Sequence, residues 1–422
     1  MSYPRMLHVK QIFDTPAPLQ DIPATVRQTL GSIDLASRIK IGDTIAVTVG
    51  SRGIANIGVI TKSVIDELKR IGGAPFIVPA MGSHGGATQE GQIEVLKHLG
   101  ITKQSMSVPI RSSMRVVQVG KLFGYPIYLD KIAAGADHIA VLARIKPHTD
   151  FKAEIESGFY KMMLIGLGKR KGASLIHRLF ARYGYYRVLQ KGGREILKNA
   201  KIVFGVGIVE NAYDQTAKIV GVLPNKMEHT EKMLLRLAKA WMMKLPFDNI
   251  DVLIVDQMGK NISGAGMDPN VIGRFPQPFT QSSNTKISGL VVLDLTNESC
   301  GNAVGIGRAD LTTKKLVQKI DNRSTRTNAL TALVPAMARI PPSFDTDKET
   351  IAAALDNIIK PKPSVKVIRI KNTLQLAEIE VSEAYLQLVK KRKSLVRFGR
   401  VKPFHFNSYG NLMPFQFREH SH

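Results

Sequence analysis

The chain has 422 residues, which is long enough for two or three domains, each with its own apolar core. Apolar residues make up 44% and charged residues 22%, a balance that excludes a disordered or fibrous protein. The single cysteine, Cys300, excludes an intramolecular disulfide and suits a reducing compartment.

The chain is strongly basic, with 59 Lys and Arg against 34 Asp and Glu and a net charge of +25. This excess favours anionic partners, namely nucleic acid, a membrane surface, or phosphorylated and carboxylate ligands. The N-terminal sequence MSYPRMLHVKQIF has no apolar signal core, and no run of about eighteen apolar residues occurs. We therefore expect a cytoplasmic protein that does not enter a membrane.

Short apolar runs alternate with longer amphipathic stretches along the chain. The apolar runs predict buried strands at 44–49, 75–79, 138–142, 201–208, 251–256 and 290–295. Helical spacing predicts helices at 54–70, 88–99, 154–164, 227–241, 309–321 and 346–359. This alternation predicts an α/β fold with largely parallel sheets.

A domain break is predicted at 244–248, where a helical stretch ends at a proline before a new buried strand. The chain then divides into an N-terminal α/β domain, 1–245, and a C-terminal α/β domain, 246–422. Because α/β enzymes tend to bind ligands between domains, we expect two lobes with the site in an interdomain cleft.

Polar turns follow four of the apolar runs, at the position where open α/β sheets bind ligands. The turns are GSRG after 49, MGSHGG after 80, RIKPHTD after 143 and DQMGKN after 255. They place Arg52, His84, His148 and Lys260 at the ends of predicted strands. Each residue alone is also compatible with an exposed turn, but the combination favours a functional site.

The segment 166–172, GLGKRKG, is glycine-rich and basic. It lacks the strand-then-helix context of a dinucleotide fingerprint, and no GxxxxGK[ST] loop occurs. Backbone amides and Lys169 could still bind a phosphate there. The chain has no CxxC, HxxxH or HExxH, so a conventional zinc site is not expected.

A second function class remains open because 389–400, VKKRKSLVRFGR, is strongly basic and includes Phe398. The alternative is a basic nucleic-acid-binding or non-catalytic ligand-binding protein on the same fold. No known nucleic-acid-binding motif accompanies the run, and a solvated basic face is the commoner explanation.

In the order and spacing of these residues, over roughly 45–275, the chain resembles the nickel-pincer lactate racemase family. That family includes racemases and epimerases of other 2-hydroxy acids. The resemblance implies that His84 and His148 are the two catalytic general bases. It also implies that Arg52 and Lys260 bind the substrate.

The resemblance also implies a cofactor, the nickel-pincer nucleotide (nickel pyridinium-3,5-bisthiocarboxylic acid mononucleotide), held by the N-terminal domain. Lys161, in ESGFYKMM, matches the lysine that bonds covalently to it, and His177, sixteen residues later, matches the nickel ligand. Lys169 is then expected to hold the cofactor phosphate. The family has an acidic residue where this chain has Val49, which predicts a substrate larger than lactate.

Overall fold

The structure is a computed structural model that describes residues 3–51, 53–275 and 285–415. The chain divides into two compact units. The N-terminal unit comprises Thr15–His148 and Lys152–Met242, and the C-terminal unit comprises Met1–Asp14, Thr149–Phe151 and Met243–His422.

The described residues form strands in both units. In chain order these are β1 (Met6–Gln11), β2 (Thr44–Val49), β3 (Ala74–Pro79), β4 (Val116–Leu122), β5 (Tyr125–Asp130), β6 (His138–Arg144), β7 (Ile202–Glu210), β8 (Thr216–Val222), β9 (Asn249–Met258), β10 (Lys286–Leu295), β11 (Leu311–Thr313), β12 (Ser343–Phe344), β13 (Val367–Ile370), β14 (Glu378–Ser382) and β15 (Leu395–Lys402).

Helices connect most of these strands. In chain order they are α1 (Ile22–Gly31), α2 (Ile57–Arg70), α3 (Gln89–His98), α4 (Lys103–Met106), α5 (Lys131–Ala134), α6 (Phe159–Lys161), α7 (Lys169–Tyr183), α8 (Tyr185–Asn199), α9 (Met227–Trp241), α10 (Pro269–Ile272), α11 (Lys314–Gln318), α12 (Asn322–Thr331), α13 (Asp347–Asp356) and α14 (Leu386–Lys391). A π-helical turn, Met162–Gly166, joins α6 to α7.

The N-terminal unit is built on a five-stranded sheet in the order β3-β2-β6-β7-β8. The first four strands are parallel, and β8 pairs antiparallel with β7 at the edge. Their sequences are almost continuously apolar because a parallel sheet is covered on both faces. Ile45, Val47 and Ile77 from the sheet join Ile60 and Val64 from α2 in one core.

The C-terminal unit is built on an eight-stranded mixed sheet in the order β12-β11-β10-β9-β13-β14-β1-β15. The strands from β12 to β13 are parallel, and those from β13 to β15 pair antiparallel. Alternate residues of β9 enter different cores: Leu253 and Val255 face one, and Val252 and Ile254 pack in the other with Ile351 of α13.

The α/β class with largely parallel sheets is confirmed. The predicted first domain, 1–245, is corrected at its start, because β1 pairs with β14 and β15 in the sheet of the C-terminal unit. No sequence signal distinguishes this single strand from one that would lie in the N-terminal sheet.

Two predicted helices differ from the structure. The helix predicted at 154–164 begins only at Phe159, because Glu156 turns inward to accept backbone hydrogen bonds from the preceding loop. The helix predicted at 309–321 is replaced by β11 and the short α11. Thr312 and Thr313, which are β-branched, are buried where β11 extends the parallel sheet beside β10.

Candidate active site

The predicted catalytic histidines both belong to the N-terminal unit, just beyond the carboxyl ends of parallel strands. His84 follows β3 and His148 follows β6. The strand order reverses at β2, which has β3 on one side and β6 on the other. Such a switch point is where open α/β sheets bind ligands. Arg52, in the turn after β2, lies outside the described residues.

The side chain of His84 is oriented by Ser51, from the turn after the neighbouring strand β2. Ser51 Oγ and His84 Nδ1 form a hydrogen bond. The Gln92 amide nitrogen donates to the carbonyl oxygens of Gly82, at 3.0 Å, and of His84, at 3.3 Å. The contact with Ser51 thus engages Nδ1, one of the two ring nitrogens of His84.

Lys161 ends α6 and is half-buried, and the π-helical turn begins at the next residue. The Leu167 N–H donates to the Met162 carbonyl at 2.9 Å, five residues back. π-Helical turns occur frequently at functional sites because the extra residue shifts the register of the helix face. The helix therefore changes from α-helical to π-helical geometry immediately after Lys161.

The π-helical turn packs directly on the turn that carries His84. The Gly82 N–H donates to the Gly166 carbonyl at 3.0 Å. A Cβ atom on Gly166 would lie 2.6 Å from the Ala80 carbonyl oxygen, so only glycine allows this approach. The structure thus brings the segment after Lys161 against the segment before His84.

His148 and His177 are connected through two aromatic rings. His177, exposed on α7, lies edge-on to Phe180 with ring centroids 5.7 Å apart. Phe180 stacks on Tyr185 at 4.4 Å, and Tyr185 lies 6.2 Å from the His148 ring. These contacts fix the two histidines at either end of one aromatic row. Convergence of this pair with His84 and Lys161 stays a prediction.

The loop of His148 is held by a buried glutamate, Glu156. Its carboxylate accepts the N–H of His148 at 2.6 Å and the N–H of Ala153 at 2.8 Å. Lys239 of α9 pairs with the same carboxylate at 2.5 Å. Because the Glu156 side chain is fully buried, its two backbone hydrogen bonds are shielded from solvent, whereas the Lys239 side chain is 37% exposed.

A second buried glutamate, Glu231 of α9, lies beneath the start of the Lys161 helix. Its Oε2 accepts the N–H of Tyr160 at 3.1 Å. Burial raises the pKa of Glu231 to about 8, although backbone hydrogen bonds from Tyr160 and Phe159 act in the opposite direction. A Cβ on Gly158 would lie 2.4 Å from Glu231 Oε1, which explains the glycine there.

The structure gives Lys169 a different role from the phosphate contact expected for it. Its side chain is fully buried, and its ammonium donates to the Pro79 carbonyl at 2.5 Å and to Gln92 Oε1 at 3.0 Å. Asp130, also buried, lies 3.1 Å from the same nitrogen. Burial lowers the pKa of Lys169 against the opposing effect of Asp130. Lys169 therefore fastens α7 to the end of β3.

Lys260, the expected substrate cation of the C-terminal unit, follows β9. Its ammonium donates to the Gly264 carbonyl at 2.5 Å and to Asn328 Oδ1 at 2.8 Å. Its backbone N–H donates to Ser299 Oγ at 2.9 Å. These contacts hold the turn after β9 and direct the ammonium toward α12.

Within the ranges that the structure describes, no three His, Cys, Asp or Glu side chains are grouped to hold a metal ion. The same residues include no helix that is long and apolar enough to cross a membrane. His177 presents an exposed imidazole on α7, and Lys161 a half-buried amine on the same unit. This donor set fits a metal whose other ligands come from an organic cofactor attached to a lysine.

The fold and the strand-end histidines define the chain as a two-unit α/β protein with imidazole groups at the switch point of its first parallel sheet. Residues 3–184 match the lactate racemase N-terminal domain. The lactate racemase apoprotein from Thermoanaerobacterium thermosaccharolyticum has a similar fold, with a TM-score of 0.54 at 12% identity over 85% of this chain and 93% of that chain. A comparison with curated proteins finds no match. The resemblance to lactate racemases is confirmed.

Sequence reasoning missed three residues that shape this site, namely Ser51, Glu156 and Glu231. Ser51 stands beside Arg52 in the GSRG turn, and Glu156 lies five residues before Lys161, so proximity to a motif was an available signal. Glu231 lies in the middle of α9, far from any motif, and only the fold brings it to the start of α6.

Proposed function

We propose that the protein is a racemase or epimerase of a 2-hydroxy acid. The observation that carries the proposal is the hydrogen bond between Ser51 and His84 at the ends of two adjacent parallel strands, with the Lys161 segment packed on the same turn. The match to the lactate racemase N-terminal domain over 3–184 includes His84, His148, Lys161 and His177, which supports the same reaction class.

In this proposal His84 and His148 are the general acid and base for the substrate hydroxyl. The Cα–H of a 2-hydroxy acid is too weak an acid for direct removal as a proton, so it leaves as hydride. One imidazole takes the hydroxyl proton at the same time, which gives a 2-keto acid. Hydride return to the opposite face, with a proton from the other imidazole, inverts the centre. Imidazole suits both directions because it titrates near neutral pH.

The nickel-pincer nucleotide of the lactate racemases would be held by Lys161 and His177. When bound, it supplies an electrophilic ring that takes and returns the hydride. Lys161 would provide the covalent attachment through its amine, and His177 the protein's nickel ligand. The π-helical turn and Glu231 fix the backbone on either side of Lys161, so they would position its amine for that attachment.

The proposed substrate is larger than lactate, with Arg52 as the counter-ion for its carboxylate. Val49, three residues before Arg52, is fully buried and belongs to the core of the N-terminal unit. The position that is acidic in the lactate enzymes is therefore closed to solvent and cannot hydrogen-bond a substrate here. This difference favours a substrate whose additional polar groups are recognised elsewhere.

The test is an assay of the protein purified from a host that makes the cofactor. Enantiopure 2-hydroxy acids of increasing size are incubated with it, and both enantiomers are separated by chiral chromatography. We expect inversion of an acid larger than lactate, and loss of inversion in both directions in His84→Ala and His148→Ala. The control is His98→Ala, which changes an exposed histidine at the end of α3. Lactate as the best substrate would contradict the size argument, and no inversion of any acid by nickel-loaded protein would contradict the proposal.

A further inference from the structure

The N-terminal unit contains a cavity of about 420 Å³ that the proposed reaction does not use. Its walls come from three segments that the fold brings together. They are the turn after α1, the carboxyl end of β8 and the amino end of α9. All three segments belong to the N-terminal unit.

The cavity lies at the opposite edge of the sheet from the strand-end histidines. His84 and His148 follow the carboxyl ends of β3 and β6, which run parallel to β2 and β7. Because β8 is antiparallel to β7, its carboxyl end points to the other edge. Near that end, the Gly221 N–H donates to Thr29 Oγ1 at 2.7 Å and so holds α1 against β8. The cavity is therefore separate from the proposed catalytic site.

A buried hydroxyl group faces the cavity without a protein partner. Thr230 lines the cavity from α9, and the residue is only 8% exposed. Within the described ranges its hydroxyl makes no hydrogen bond. Its oxygen is not sealed from solvent, so the hydroxyl opens into the cavity. Because buried polar groups are normally hydrogen-bonded, this hydroxyl points to a ligand that it can donate to or accept from.

Three exposed charged side chains line the same cavity, namely Asp34, Arg38 and Lys226. None of them forms an ion pair within the part of the chain that the structure describes. Asp34 and Arg38 stand four residues apart in the turn after α1, yet they do not pair with each other. Opposite charges that line one cavity without neutralising each other suit a ligand that carries both signs.

The amino end of α9 favours an anion, and the rest of the wall is aliphatic. Neither α9 nor the 3₁₀ turn before it, Pro224–Lys226, has a side-chain cap. Uncapped N–H groups and the helix dipole stabilise a negative charge at such an end. The aliphatic contacts come from Ile33, Val222 and Leu223. The cavity thus offers cationic, anionic and apolar groups to one ligand.

We propose that this cavity binds a free aliphatic α-amino acid. The carboxylate of the amino acid lies at the amino end of α9, with Arg38 and Lys226 as its counter-ions. It also accepts a hydrogen bond from the Thr230 hydroxyl. The ammonium group pairs with Asp34, and the side chain packs on the aliphatic wall. The volume of the cavity lies within the range of small-molecule sites.

The test is calorimetric titration of the full-length protein without cofactor. The probes are L-leucine, 4-methylpentanoate, which lacks the ammonium group, and 3-methylbutylamine, which lacks the carboxylate. We expect leucine to bind with one-to-one stoichiometry and a Kd below about 1 mM, and the other two to bind at least about tenfold more weakly. Absence of leucine binding would overturn the assignment. Equal affinity for 4-methylpentanoate or 3-methylbutylamine would overturn the ligand class.

Single variants then test the three kinds of contact. Asp34→Asn, Arg38→Gln and Thr230→Val should each weaken leucine at least about fivefold. The first two change exposed side chains, so they leave the core intact. The matched control is Lys40→Gln, which removes a charge from an exposed position outside the cavity and should have no effect. Wild-type affinity in both Asp34→Asn and Arg38→Gln would overturn the assignment.

A double variant separates this site from the proposed catalytic one. His84→Ala with His148→Ala should bind leucine with unchanged affinity, because both histidines lie at the other edge of the sheet. Loss of leucine binding in this double variant would overturn the placement of the ligand. None of these outcomes depends on racemase activity.

Discussion

Glu156 holds the backbone of His148, so a substitution at Glu156 tests how His148 is positioned. Its buried carboxylate accepts two backbone N–H groups, from His148 and Ala153, and pairs with Lys239. A hydrogen bond to a charged group contributes roughly 1.5–3 kcal/mol, and the Lys239 pair adds less because its lysine is 37% exposed and screened by solvent. In Glu156→Gln the amide oxygen can still accept one of the two backbone N–H groups, but the amide N–H₂ faces the other and cannot accept from it. We therefore expect it to lower the free energy of unfolding of the N-terminal unit by about 3 kcal/mol.

The assay is urea unfolding followed by fluorescence of Trp241, the only tryptophan, which lies on α9 within the N-terminal unit. Amide hydrogen exchange of a peptide spanning His148 and Ala153 should accelerate in the same variant. The matched control is Glu154→Gln, two residues earlier, where an exposed carboxylate pairs with Lys232 at 2.8 Å; because solvent screens that pair, the unfolding midpoint should change little. Equal unfolding midpoints and equal exchange in the two variants would refute the role given to Glu156.

Three further predictions concern orientation, titration and charge. Ser51→Ala should lower kcat roughly five- to tenfold and move its pH profile while KM changes little, because the His84 ring loses its Nδ1 partner. The control is Ser83→Ala, at an exposed neighbouring position, which should leave kcat, its pH profile and KM unchanged. Glu231→Gln should match the wild type in stability at pH 4.5 and exceed it increasingly up to pH 8. Glu231 stabilises the folded wild type while its carboxyl is protonated. Because burial raises its pKa from 4.5 to about 8, this stabilisation is complete below pH 4.5 and is lost as the pH rises through about 8. Urea unfolding midpoints measured against pH will show the loss. Replacing the basic residues of 390–393 by glutamine should leave turnover unchanged, whereas tight, salt-sensitive RNA or DNA binding that this change abolishes would favour the nucleic-acid alternative.

The parts of the fold that follow from local pattern were predictable. Continuous apolar runs such as TIAVTV are typical of buried parallel strands, and β2 occupies those residues in the structure. Threonine is a favoured N-cap residue, and the hydroxyl of Thr88, at the start of the predicted helix 88–99, accepts the Gly91 N–H at 3.0 Å. The parallel strands then placed His84 and His148 at one edge of one sheet, which the order of the elements alone implies.

The interactions that depend on long-range packing could not be predicted. Lys169 sits in a glycine-rich basic turn that is typical of phosphate binding, yet the fold directs its side chain into the core toward Asp130 and Pro79. The apolar pattern of β1 does not indicate which sheet the strand joins. Its partners β14 and β15 lie more than 360 residues away in the chain. Glu231 likewise acquires its role only because α9 packs beneath α6.

The measurement that tests the central claim most directly is the intact mass of the protein purified from a host that makes the nickel-pincer nucleotide, together with its nickel content. We expect a covalent adduct and about one nickel per chain in the wild type, an adduct with reduced nickel in His177→Ala, and no adduct in Lys161→Ala. Lys198→Ala, which changes an exposed lysine in the last turn of α8, should retain both. An unmodified mass in the wild type, or the same adduct and nickel content in Lys161→Ala, would contradict the account.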